Sequence, residues 1–375
     1  MRSSGYLFLI ILLALSACKK EEPIGDNPAD GVPLIDLQSI VYDPTSHTIP
    51  IPPLFPQMVI PADNPTTEEG VLLGRFLFYD PILSRDSSIS CESCHKQALS
   101  FTDGLEKSIG IDGRVGTRSS MSLANIGFAN RGLFWDGRVS TLEIQALHPV
   151  EDPNEMDEKW PNVLKKLQVH PTYQQMFRKA FGIKNNKEIT KEMVAKALAQ
   201  FQRTLVSAGS KYDRFIRQEI LDLTNDEFEG MSMFNDNTSG LLKDVGCAHC
   251  HSPVLFTADN YFNNGLLTDE EQAMTQTRFN LTGFNSDMGK FRAVSLRNIA
   301  LTAPYMHDGR MSSLEEVIEH YSTGGVESTN RDGLIPEHGA VPTTPAEKDK
   351  LLKFLNTLTD SAFITNPAFK NPFEQ

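Results

Sequence analysis

The residues best suited to chemistry stand in two pentapeptides, Cys91-Glu92-Ser93-Cys94-His95 and Cys247-Ala248-His249-Cys250-His251. Two thiols separated by two residues and followed at once by an imidazole form C-x-x-C-H, the attachment signature of a c-type haem. The thiols bond covalently to the macrocycle and the His becomes the proximal iron ligand. The competing readings are a redox dithiol and a four-Cys zinc site. A dithiol leaves both His residues unexplained. A zinc site does not need them, and its Cys pairs normally stand about 15–20 residues apart, whereas these stand 156 apart.

The fifth and last cysteine, Cys18, follows Leu15-Ser16-Ala17 and an apolar run from Tyr6 to Leu15. Ten residues make about 15 Å of helix, too short for a hydrocarbon core of about 30 Å. The run reads as a secretory signal. A small-residue pair before Cys resembles a bacterial lipobox, with lipid added to Cys18, and a plain signal peptide is the alternative. Lipid on one residue tethers a protein to a membrane without embedding it. Lys19-Lys20-Glu21-Glu22 resembles tags that send some lipoproteins to the cell surface. The expectation is an exported, periplasmic-side or cell-surface lipoprotein of a Gram-negative bacterium, which agrees with haem attachment outside the cytoplasm. Residues 1–18 are then signal, and 19–60, rich in Pro, Asp and Asn, a linker. Of 375 residues, 35 are Lys or Arg and 48 Asp or Glu, a formal charge of −13. This acidity argues against a nucleic-acid partner. It suits a basic protein partner.

The elements that must position the two pentapeptides come as a repeat. Phe101-Thr102-Asp103 is answered by Phe256-Thr257-Ala258, and Ser122-Leu123-Ala124-Asn125-Ile126 by Ser295-Leu296-Arg297-Asn298-Ile299. Asp136-Gly137-Arg138 is answered by Asp308-Gly309-Arg310, now at an offset of 172, so the second copy carries about sixteen extra residues between its landmarks. Thr/Ser-x-x-Glu boxes at Thr66/Glu69, Ser140/Glu143, Thr224/Glu227, Ser313/Glu316 and Thr344/Glu347 predict helix starts. Val194, Leu198, Phe201 and Leu205 make a helical stripe. Strand-like alternation is nearly absent. The predicted fold is all-α, two tandem cytochrome-c-like haem domains over residues 61–210 and 211–375.

With these landmarks the chain resembles the bacterial di-haem cytochrome c peroxidases and their MauG-type relatives, over about residues 62–360. The resemblance rests on both haem motifs, Ser108-Ile109-Gly110, Phe134-Trp135-Asp136-Gly137-Arg138, Pro149 through Glu155-Met156, and Pro304-Tyr305-Met306-His307-Asp308-Gly309. It implies two covalent haems c. It also implies that the N-terminal haem reduces hydrogen peroxide, while the C-terminal haem takes electrons from a small cytochrome c or cupredoxin. By motif position Trp135 lies between the haems, Glu155 is the acid-base carboxylate over the peroxide face, and Gln145 hydrogen-bonds peroxide. Cleaving the O–O bond needs a proton moved from the inner to the outer oxygen, which a carboxylate can do. Glu151, Asp152, Asp157 and Glu158 crowd the same loop, and the alternative is that all are solvated charges. Arg292 and Arg297 are candidate haem-propionate partners, with surface arginines as the alternative. A calcium ion between the domains would use Thr302 and Pro304, with Ser119 where the family normally has Asn, and a hydroxyl is a poorer ligand than an amide oxygen. Family members often form homodimers.

Two positions depart from the standard peroxidase. The distal His of the N-terminal haem lies just after Ser-Ile-Gly, and here the residue is Ile111, which cannot ligate iron. An open N-terminal haem is the expectation. The distal Met of the C-terminal haem is replaced by Tyr321, as in MauG-type enzymes, with His320, Met306 and Met311 as alternative ligands. Phenolate favours ferric iron and Met raises the potential. This pattern favours a MauG-type oxidase acting on a partner protein, as an alternative to plain peroxide reduction. A non-enzymatic electron carrier is the third reading.

Overall fold

The computed structural model describes residues 31–235, 245–335 and 343–374. The signal and Cys18 lie outside them. Among the described residues the first half carries α1 (Glu68–Tyr79), α2 (Cys91–Cys94), α3 (Leu142–Glu151), α4 (Trp160–Val169), α5 (Pro171–Phe181) and α6 (Lys191–Arg203). The second half carries α7 (Lys211–Ile216), α8 (Asn225–Phe234), α9 (Asp269–Met274), α10 (Phe279–Thr282), α11 (Leu314–Thr323), α12 (Pro345–Asn356) and α13 (Ser361–Thr365). One short antiparallel pair, β1 (Tyr261–Phe262) and β2 (Phe291–Arg292), is the sheet among these residues, with Phe262 opposite Phe291. The mainly helical class is as expected. No described helix is long and apolar enough to cross a membrane.

The hydroxyl boxes at α8 and α12 form as predicted, with Thr224 and Thr344 accepting from Glu227 and Glu347 N–H. Ser313 caps α11, but Glu316 turns its carboxylate to Ser312. Two starts move by one residue. Thr67, not Thr66, caps α1, and Thr141, not Ser140, caps α3. The glutamates predicted to close those boxes are engaged elsewhere: Glu69 accepts from Thr45 N–H, and Glu143 pairs with Arg203 at 2.6 Å and Asn64 at 2.7 Å. Tertiary partners outcompete a local cap here.

Buried apolar residues gather into two main clusters. One runs from Leu37 to Leu205 and the other from Tyr212 to Leu358. The stripe Val194, Leu198, Phe201 and Leu205 is fully buried in the first. Each cluster is centred on the same device. Gly74 lets α1 press onto α6, where a Cβ would stand 1.9 Å from Ala197 O. Gly230 lets α8 press onto α12, where a Cβ would stand 2.1 Å from Lys350 O. Beside each crossing sits a Phe triad: Phe78 with Phe101 and Phe201 at 6.0 and 5.3 Å, and Phe234 with Phe256 and Phe354 at 5.7 and 5.2 Å. Residues 34–60, expected as linker, pack on this fold. Leu37, Ile49 and Phe55 are buried, and Phe55 meets Phe128 edge to face. Apolar side chains at that spacing drive a Pro-rich segment onto a core. At the other end Phe363 and Phe369 return to the first cluster.

Candidate functional site

At the N-terminal motif, α2 presents Cys91 and Cys94 one turn apart, and His95 follows as the helix ends. His95 Nδ1 donates to Phe101 O at 2.8 Å, with Ser120 Oγ at 3.3 Å. Phe101 adopts φ 61°, which turns its carbonyl to the ring. The remaining nitrogen, Nε2, is left with its lone pair, the form that ligates a metal. Burial holds the imidazole below its usual range, which keeps it neutral.

Two further loops, one carrying Ile111 and the other Glu155, are bound to each other. Ile111 is completely buried, and its N–H donates to Glu155 O at 2.9 Å. Gly110 permits this, because a Cβ there would fall 2.0 Å from Asn154 O. An ionic ring closes the outside: Arg85 bridges Asp112 and Asp157 at 2.5 and 2.6 Å, and Arg114 bridges the same pair at 3.1 and 3.0 Å. Asp157, read among solvated charges, belongs to this ring, and Glu158 pairs with Lys166 at 2.8 Å. Glu155 is different. Burial, helped by the Asp152 charge and opposed by Arg138, pushes its carboxyl up to about 7. Its charge is felt by both Cys91 and Cys94, so it lies beside the attachment turn. Gln145 is half-buried on α3, the helix that leads into the Glu155 loop.

At the C-terminal motif His251 repeats the arrangement, with Nδ1 on Val294 O at 3.1 Å and Phe256 O at 3.3 Å and its basicity lowered by burial. Cys247, Cys250 and His251 line a cavity together with Tyr321, Met306 and Asn264. Tyr321 Oη accepts from Asn264 Nδ2 at 3.2 Å, and burial lifts the phenol to about 12. His320, by contrast, donates Nε2–H to Asn264 O at 2.9 Å. Met311 packs with Leu266, Leu267 and Phe291.

Arg292 also lines this cavity. It pairs with Asp259 at 2.8 Å, and its buried Nε has no partner. Arg297 is not brought there. Its guanidinium makes a two-pronged pair with Asp213, both contacts 2.8 Å, and donates to Val254 O. A fully buried cation needs such a partner, and that need takes Arg297 from the propionate role. Thr302 and Pro304 stand on the cavity wall, but the Ser119 hydroxyl is donated to Met306 O at 2.8 Å. Trp135 lines the same cavity while its indole N–H donates to Ser119 O at 3.0 Å, next to Ser120 and the N-terminal motif. Its ring meets His307 edge-on, and His307 stacks on Phe291 with centroids 3.7 Å apart.

Both motifs thus place two thiols and a metal-ready imidazole together, and the unpartnered Arg292 Nε suits a propionate. The residues present fit a haem at each site. The zinc alternative is not built: among the described residues no three His, Cys, Asp or Glu side chains converge to hold a metal ion. No motif marks Asn264 or Phe291 as a site residue. Asn263-Asn264-Gly265 reads as a turn and nothing more.

Comparison with known proteins agrees. The family model for di-haem cytochrome c peroxidase matches residues 68–220 and 229–353. The methylamine utilization protein MauG of Methylorubrum extorquens is 35% identical over 82% of this chain and 83% of its own length. The cytochrome c551 peroxidase of Nitrosomonas europaea is 33% identical over 84% and 86%. Among solved structures, a MauG-like protein associated with microbial copper homeostasis is 36% identical, covers 86% of this chain and 98% of its own, and superposes with a TM-score of 0.78. The chain belongs to the di-haem cytochrome c peroxidase and MauG family. It is an oxidoreductase, and the family implies two c-type haems.

Proposed function

We propose that this protein reduces hydrogen peroxide to water at the N-terminal site, with electrons that enter at the C-terminal site from a small cytochrome c or cupredoxin. One observation carries the reading: Glu155, a carboxyl poised near neutrality, is held beside the Cys91/Cys94 turn by a loop whose family ligand position is Ile111. Haem iron supplies the coordination position and the electrons for breaking the O–O bond. Glu155 takes the proton from the inner oxygen of peroxide and returns it to the leaving one, and Gln145 orients the molecule. Two electrons and two further protons complete the two waters. Trp135, hydrogen-bonded beside the first motif and lining the second cavity, couples the sites. Arg292 holds a propionate of the C-terminal haem. A lipid on Cys18 keeps the enzyme at a membrane surface, where its net negative charge favours a basic donor.

Tyr321 in the C-terminal cavity favours a second reading, a MauG-type oxidase that uses peroxide to modify a partner protein. Rapid mixing of the fully ferric protein with one equivalent of peroxide, without reductant, tests the open N-terminal site. A fast spectral change, lost in Glu155→Gln, is expected. A requirement for prior one-electron reduction would sink it. Steady turnover with reduced cytochrome supports peroxide reduction, and slow donor turnover with persistently oxidised protein supports the second reading.

A further inference from the structure

Three side chains near the C-terminal site can each ligate iron, and one residue touches all of them. His320 gives its Nε2–H to the Asn264 carbonyl at 2.9 Å. The Asn264 amide nitrogen stands 3.2 Å from Tyr321 Oη and 3.5 Å from Met306 Sδ. The backbone around it is fixed: Asn263, 1% exposed, accepts from Gly265 N–H, and Gly265 O accepts from Val326 N–H at 2.7 Å. Met306 itself stands at φ 74°, a left-handed backbone that a non-glycine residue holds only when its surroundings require it.

We propose that Asn264 is a positioning residue that selects the distal ligand of the C-terminal haem, holding His320 aside, presenting Tyr321 and keeping Met306 in reserve. The inference rests on the reading of Tyr321 as that ligand. The selection is chemical. An amide N–H bonds strongly to an oxygen that carries negative charge and only weakly to a thioether. With the amide in place the oxygen is favoured. Without it, a sulfur already within reach of the same position competes, and a Met ligand raises the potential. The backbone carbonyl that restrains His320 is untouched by any side-chain substitution, so the contest narrows to Tyr321 and Met306.

The test uses the haem-loaded ferric protein, read by visible and near-infrared absorption, magnetic circular dichroism and redox titration. Wild type is expected to show a phenolate-to-iron charge-transfer band that Y321F removes. N264L is expected to lose that band, gain a sulfur-to-iron band and rise in potential, and N264L/M306L to lose the sulfur band again. N264V is smaller than N264L and likewise presents no hydrogen-bond donor. It is expected to lose the phenolate band too, which keeps the test decisive if N264L does not fold. Retention of the phenolate band in N264L or N264V overturns the proposal. So does loss of that band in N264L with no sulfur band in its place. A wild-type spectrum that Y321F leaves unchanged overturns the reading of Tyr321 itself, and the inference falls with it.

Discussion

Glu155 shows how one side chain becomes chemically useful through its surroundings. A solvated glutamate titrates near 4.3, and in this loop burial first, then the Asp152 charge, lifts it to about 7 against the pull of Arg138. A base must be deprotonated to take the first proton from peroxide. The rate of the ferric protein's reaction with peroxide is therefore expected to climb as pH rises through about 7 and to flatten above it. Glu155→Gln should remove that limb and slow the reaction by about 10²–10⁴-fold. Stopped-flow rates across this range decide the matter, and a rate that is flat or falling through neutrality removes Glu155 from the proton path. Local spacing made the Cys and His residues of both motifs legible in the sequence, because haem attachment is written in five consecutive residues. Arg297 was not legible. Its partner Asp213 stands 84 residues away, and no pattern links them. Asn264 was hidden for the same reason, since its contacts at 320, 321 and 306 exist only after folding.

At the scale of elements, helices were legible and loop-to-loop contacts were not. The Thr224 and Thr344 starts need only their own four residues, whereas α1 and α3 began a residue later than predicted because Glu69 and Glu143 found distant partners. The ionic ring of Arg85, Asp112, Arg114 and Asp157 is such a contact, and it binds the Ile111 loop to the Glu155 loop. Its members are partly exposed, so each pair contributes about 0–1 kcal/mol to stability. Its larger effect is on geometry. Arg114→Ala with Asp157→Ala cuts the ring and lets water reach Glu155. Because desolvation is the leading cause of the raised carboxyl, the midpoint of the peroxide pH profile should fall from about 7 toward the ordinary carboxylate range, with little change in melting temperature. A midpoint that stays in place while the ring is cut would show that the two loops hold each other by packing and the Ile111–Glu155 backbone bond alone.

Across the two halves of the chain several local devices come in pairs. These are the Gly74 and Gly230 crossings, the two Phe triads, and His95 and His251, each bonded to the carbonyl of the Phe that follows it. The C-terminal tail breaks this symmetry. Phe363 and Phe369 belong to the first cluster, Tyr79 donates to Phe369 O, and Gln97, two residues beyond His95, donates to Phe363 O and Asn366 O. The last residues of the chain therefore support the first haem motif rather than the second. Each buried Phe contributes about 1.5–3 kcal/mol. Removing residues 361–375 therefore takes away several kcal/mol, against a total stability of about 5–15 kcal/mol for a typical domain. The loss should fall on one site. Peptide mass spectrometry of the truncated protein is expected to find haem on Cys247/Cys250 at wild-type levels and depleted on Cys91/Cys94, with an earlier melting transition. Equal depletion at both motifs would mean that the two clusters melt as one cooperative body, so that the tail stabilises the molecule rather than its first site.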